Sequence, residues 1–148
     1  MSDQRAYEKH AWLIFFVLGI LTVIAAPIGL LGVPPNPPSP EATTGMMLAQ
    51  MEAQIPGLHT FIGGISVQLG NFMLATGVLL TGIAAFPYRR GEKWAWAACW
   101  IMPVLIIQLI NNLATGGFLW QLDLAVLVLV LAGLLLPSRR FFRRPDPG

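Results

Sequence analysis

Cysteine is almost absent from this 148-residue chain: Cys99 stands alone, which excludes an intramolecular disulfide and a thiol pair. Charge is scarce as well. Only 11% of residues are Asp, Glu, Lys or Arg, against roughly 25% in soluble domains, so an ordinary water-facing surface is excluded. Histidine occurs only at His10 and His59, each just before an apolar run rather than inside one, so a bis-histidine haem pair at helix-interior positions cannot be built. There is no HExxH, no glycine-rich phosphate loop and no acid–base pair beyond His59 with Asp123. The expectation is therefore a non-enzymatic protein, with a membrane enzyme using Asp123 and His59 as the weakest alternative, and without cofactor or metal. Met46, Met47, Met51 and His59 would suit Cu(I) in principle, since soft thioethers select it. A methionine-rich amphipathic helix more commonly serves as an adaptable packing surface.

The most informative absence concerns Lys and Arg. None occurs from Val33 to Thr60 or from Thr115 to Gln121. All nine instead fall in three clusters: Arg5 and Lys9; Arg89, Arg90 and Lys93; and Arg139, Arg140, Arg143 and Arg144. Apolar runs separate the clusters from the cation-free segments, and cationic loops are retained on the cytoplasmic side of a membrane. The pattern predicts four spans, with both termini cytoplasmic, in a plasma (inner) membrane. With 55% hydrophobic residues and a mean hydropathy of +0.67, nearly the whole chain is span or short connection, so residues 1–148 form one membrane domain. The net charge of +2 is juxtamembrane on this topology. Its partners are then the lipid bilayer and the anionic lipids of the cytoplasmic face, not nucleic acid.

The expected class is all-α: an integral membrane four-helix transmembrane bundle. Span one covers about 11–33. It resembles a signal sequence, but its apolar run outlasts the roughly 7–15 residues of a signal h-region, and Pro27 follows the small pair Ala25-Ala26; it is read as a retained anchor. The stretch Pro34 to Pro40 favours extended polyproline. Ser39, Pro40 and Glu41 then mark a helix start, and a short amphipathic extracytoplasmic helix is expected over about 40–55, ended by Pro56-Gly57.

Span two covers about 60–86 and repeats a small residue every seven positions: Gly63, Gly70, Gly77 and Ala84. Such a stripe admits a neighbouring backbone closely, which is how helices associate in lipid, and the seven-residue period suits a left-handed crossing. The stripe leaves open whether the partner is internal or another copy. Span three covers about 94–115 with Pro103 as an expected kink, and span four about 118–137. Trp94, Trp96 and Trp100 toward one boundary and Trp120 near the other fit interfacial aromatic belts. The basic tail 138–148, with Arg139, Arg140, Arg143 and Arg144 around two phenylalanines, is expected to bind lipid headgroups.

Polar residues gather in the outer half of this bundle. Gln68 and Asn71 belong to span two, Gln121 and Asp123 to the start of span four. Gln108, Asn111, Asn112 and Thr115 form one stripe of span three, at i, i+3, i+4 and i+7. A polar stripe at that depth needs a protein or aqueous neighbour. The short Gly116-Gly117 turn makes spans three and four antiparallel neighbours. Asp123 has no Lys or Arg on its side of the membrane, and an intramembrane carboxylate marks a candidate functional site. It is held neutral, satisfied by Gln108, Asn111 or Asn112, paired with His59, or simply reaches water near the helix start. The functional expectation is a small accessory or ligand-binding subunit with a polar vestibule in the outer leaflet, formed by Asp123, Asn111, Asn112, Gln108, Gln68, Asn71 and His59. The alternatives are a transporter- or channel-like subunit acting as a homo-oligomer, or membership of a larger membrane complex.

Overall fold

Long runs of Leu, Ile, Val and Ala without interruption by charge favour helix, because each backbone group then finds its partner within its own segment. In the computed structural model, which describes residues 10–33, 44–115 and 120–142, every regular element is helical. Helix α1 is Trp12–Leu30, α2 is Leu48–Gln54 and α3 is Leu58–Ile83. A π-helical turn, Ala84–Tyr88, extends α3. The next helical segment is split into α4, Lys93–Cys99, a 3-10 turn Met102–Val104, and α5, Leu105–Thr115. Then come α6, Trp120–Leu135, and α7, Ser138–Phe142.

Three of these stretches, Trp12–Leu30, Leu58–Tyr88 and Lys93–Ala114, are long and apolar enough to cross a membrane. The apolar helix Trp120–Leu135 has 16 residues, about 24 Å at 1.5 Å per residue and so short of a roughly 30 Å hydrocarbon core. It is shorter than the 118–137 read from sequence because Leu136-Pro137 forms a turn and proline cannot continue the ladder. The stretch 116–119, including the Gly116-Gly117 turn, lies outside the described residues.

Prolines set the irregular points. Pro87 lies within the π-helical turn and Pro103 within the 3-10 turn; each removes an N–H that would have bonded four residues back, and the local pitch changes to accommodate the loss. Helix α1 tolerates Pro27 internally. Glycine closes two helix ends. Gly32 at φ +82° and Gly91 at φ +81° occupy left-handed positions. There Val33 N–H bonds Ile28 O at 3.2 Å and Glu92 N–H bonds Pro87 O at 3.0 Å, capping otherwise orphaned carbonyls.

Of the helix expected over 40–55, the described residues show Thr44 as helical and a seven-residue helix, Leu48–Gln54. Gly45 takes φ +70° and Met47 is extended, which interrupts the helix between Thr44 and Leu48; the Gln50 side chain accepts the Met47 N–H at 3.1 Å. Residues 34–43, including Ser39, Pro40 and Glu41, lie outside the described residues.

Packing is dominated by the antiparallel pair α1 and α3. Gly70 and Gly77 are buried, and the partner of the seven-residue stripe is internal. A Cβ on Gly70 would lie 2.6 Å from Leu30 N and 3.0 Å from Ala26 O, and one on Gly77 2.9 Å from Gly19 O. Ala84 is buried with them, whereas Gly63 sits at a looser point, 4.0 Å from Gly32 O. Helix α1 answers with small residues of its own, Gly19, Ala26 and Gly29, all buried. The seam's hydroxyls bond within their own helices: Ser66 Oγ to Ile62 O at 2.8 Å and Thr81 Oγ1 to Gly77 O at 2.7 Å. Neither hydroxyl therefore depends on the partner helix.

The buried core sits at the end of the helices that bears Arg89, Arg90 and Lys93. Phe15, Leu80, Ala84, Tyr88, Ala95, Cys99, Val130, Leu134 and Phe141 meet there. One of its polar atoms solves a specific problem. Pro137 has no N–H to offer the Gly133 carbonyl four residues earlier. The Tyr88 hydroxyl donates to that carbonyl instead, at 2.6 Å, and Trp96 Nε1–H donates to Leu134 O at 2.9 Å. The short α7 is docked by Phe141, 2% exposed, whose ring lies 5.1 Å from that of Tyr88. Arg89 stacks over Trp12 with its guanidinium 4.9 Å from the ring centre.

Candidate functional site

At the opposite end, α5 and α6 hold a polar cluster inside otherwise apolar surroundings. Gln108 and Asn112 are one turn apart on α5 and therefore share a face. Asp123 lies in the first turn of α6, where the helix dipole favours a negative charge. Asn112 is 3% exposed; its Nδ2 donates to Asp123 Oδ2, and its Oδ1 accepts from Gln108 Nε2 at 3.4 Å.

The bonds run in one direction. Asn112 turns its amide N–H₂ toward Asp123, which accepts, and its oxygen toward Gln108. Gln108 must then present its own N–H₂ to that oxygen. Gln108 thus donates to Asn112 and Asn112 to the carboxylate, and among the described residues no Lys or Arg takes part. Asp123 is partly exposed and Gln108 exposed, so the carboxylate is reachable from outside the helix pair.

The other residues of the sequence expectation stand in different places. Asn111 is exposed, on the shoulder of the same helix, with an interaction of its own. The side chain of Thr115 lies outside what the structure describes. His59 is 87% exposed and its Nδ1 lies 3.2 Å from Glu52 Oε1. That companion was missed in the sequence because it belongs to the seven-residue helix α2 rather than to a span; the i, i+7 spacing across the Pro56-Gly57 turn was the available signal. Gln68 and Asn71 are exposed on α3, away from the face that α1 covers. Arg139 and Arg140 lie in α7 with side chains outside the description, and Arg143 and Arg144 lie outside the described residues.

Surface grooves occur at the basic end and are apolar. One of about 490 Å³ is lined by Val78, Gly82, Phe86, Pro87, Arg90 and Trp94 among others. A smaller one of about 190 Å³ runs between α3 and α4, over Leu79, Ile83, Cys99 and Met102. Among the described residues no three His, Cys, Asp or Glu side chains gather to hold a metal ion.

Chemically, the Asp123 cluster can accept hydrogen bonds or a positive charge. Comparison of the chain with protein-family models, with curated proteins and with solved structures finds no match.

Proposed function

We propose that this chain is a small multi-pass membrane protein that crosses a plasma (inner) membrane four times, with both termini cytoplasmic. It acts as an accessory or ligand-binding subunit, and its ligand is a small polar or amphipathic molecule held in the outer leaflet at Asp123. The single observation carrying the reading is a carboxylate partnered by amides alone, Gln108 to Asn112 to Asp123, in an apolar helix pair. With no Lys or Arg in the adjoining connections, a cationic group on the ligand is the complement such a site lacks. Three long apolar helices and the segregation of Lys and Arg support the membrane topology. The apolar run that includes Trp120–Leu135 supplies the fourth crossing, and α2 with Glu52, together with His59 at the start of α3, lies on the outer surface.

Two experiments test this. With Cys99 buried and quiet, Asn36→Cys and Gly117→Cys should react with a membrane-impermeant maleimide from the outside only; labelling of either from the cytoplasmic side alone refutes the topology. Native mass spectrometry after mild-detergent extraction should find a small molecule on the wild-type chain that Asp123→Asn loses at unchanged helix content. Equal retention by both proteins, or none by either, refutes the site.

A further inference from the structure

Helix α3 carries a second seam, on the side that α1 leaves open. Its first seam, Gly63, Ser66, Gly70, Met73, Gly77, Leu80 and Ala84, alternates steps of three and four and faces α1. Gly64, Gln68, Asn71, Ala75, Val78 and Gly82 also alternate steps of four and three. At 3.5 residues per turn the two seams lie roughly 150° apart around the helix. In the second, Gln68, Asn71 and Ala75 are exposed, Val78 is 55% exposed, and a Cβ added at Gly64 or Gly82 would meet nothing within 4 Å.

The polar members matter most. Among the described residues neither Gln68 nor Asn71 has a hydrogen-bond partner. Centred on a roughly 30 Å core, the Leu58–Tyr88 stretch leaves Gln68 and Asn71 about 7 Å and 12 Å beneath the surface, given 1.5 Å per residue. Asn71, with one methylene, has no reach to the headgroups, and an amide left unsatisfied in hydrocarbon is costly.

We propose that this face binds a second copy of the same chain, α3 against α3, in a parallel two-fold dimer. The inference rests on the membrane topology proposed above. Copies inserted by one charge rule share an orientation, so a two-fold axis along the membrane normal sets Gln68 against Gln68 and Asn71 against Asn71 at equal depth. A carboxamide both donates and accepts, so each meets its complement in its own copy. Gly64, Ala75 and Gly82 allow the close approach those short side chains require. The face ends in the 490 Å³ groove lined by Arg90, Glu92 and Trp94, and opposite charges side by side on one surface are self-complementary across a two-fold axis.

The test uses full-length protein in its own membrane, in a Cys99→Ala background. Oxidative cross-linking should join copies through Gln68→Cys and Ala75→Cys but not through Leu69→Cys, which points to the flank. In lipid nanodiscs the Gln68→Leu/Asn71→Leu double variant should raise the dimer dissociation constant about tenfold, the loss of two interhelical amide pairs, with helix content unchanged. A membrane-embedded chain that is monomeric, that cross-links best through position 69, or that joins position 68 to a different protein overturns the interface while leaving the topology standing. Release of the wild-type chain from membranes by alkaline carbonate overturns the topology itself, and the dimer with it.

Discussion

Adding one methyl group to α3 should have opposite effects at two glycines seven residues apart. A Cβ at Gly70 would lie 2.6 Å from Leu30 N, 2.9 Å from Gly29 C and 3.0 Å from Ala26 O, all of them backbone atoms. None can rotate away. Ordinary carbon contacts sit at about 3.5–4.0 Å, so α1 and α3 must part by about 1 Å locally, and a gap of that size forfeits a quarter to a half of each dispersion contact along the seam. Overpacking of this kind costs about 1–3 kcal/mol. At Gly63 the same methyl meets only Gly32 O at 4.0 Å, so the strain term vanishes, and replacing a helix-interior glycine by alanine gains about 0.5–1 kcal/mol in backbone entropy. The entropy gain is common to both variants, so Gly70→Ala should unfold earlier than Gly63→Ala by the strain alone, about 1–3 kcal/mol. Thermal or SDS-titrated unfolding in one detergent, followed by tryptophan fluorescence, measures the difference. If Gly70→Ala is as stable as Gly63→Ala, the close α1–α3 contact does not exist as described.

Tyr88→Phe leaves the buried Gly133 carbonyl unpaired and should cost about 1–3 kcal/mol in the same assay. In a Pro137→Ala background position 137 regains an N–H for that carbonyl, so the cost of Tyr88→Phe should shrink; additivity of the two substitutions would refute the compensation. At the polar cluster, Asp123→Leu strands the buried Asn112 amide and should destabilise by about 1–3 kcal/mol, whereas Asp123→Asn keeps a hydrogen-bonding group and should unfold within about 1 kcal/mol of wild type; the reverse order would contradict the Asn112–Asp123 hydrogen bond. Phe141→Ala empties a fully packed site and should cost about 3–5 kcal/mol, and limited proteolysis should then cleave near Pro137; unaltered cleavage would mean that α7 is not docked through this ring.

Much of the fold is legible in the amino-acid sequence. Uninterrupted apolar runs identify the long helices, since nothing else satisfies their backbone groups. The seven-residue spacing of Gly70 and Gly77 marks a close contact, because only a small side chain admits a backbone at that distance. Part of the site is legible too: Gln108 and Asn112 share a face by spacing alone, and a short connection brings that face to Asp123.

Tertiary structure decided the rest, for one physical reason. Periodicity states which residues share a side of a helix but not what lies opposite, and in a chain this apolar the core and the lipid look alike. The sequence could not say that α1 fills the glycine seam, that Phe141 of the tail reaches the core, or that Tyr88 replaces the hydrogen bond that Pro137 removes. Nor could it separate the two polar sets that depth had grouped together. Asn112 and Asp123 meet between helices, whereas Gln68 and Asn71 face away from the neighbour of α3, and His59 turns to Glu52. What the chain determined alone was its helices and their small and polar faces; which face met which partner came from the packing of α1, α5 and α6.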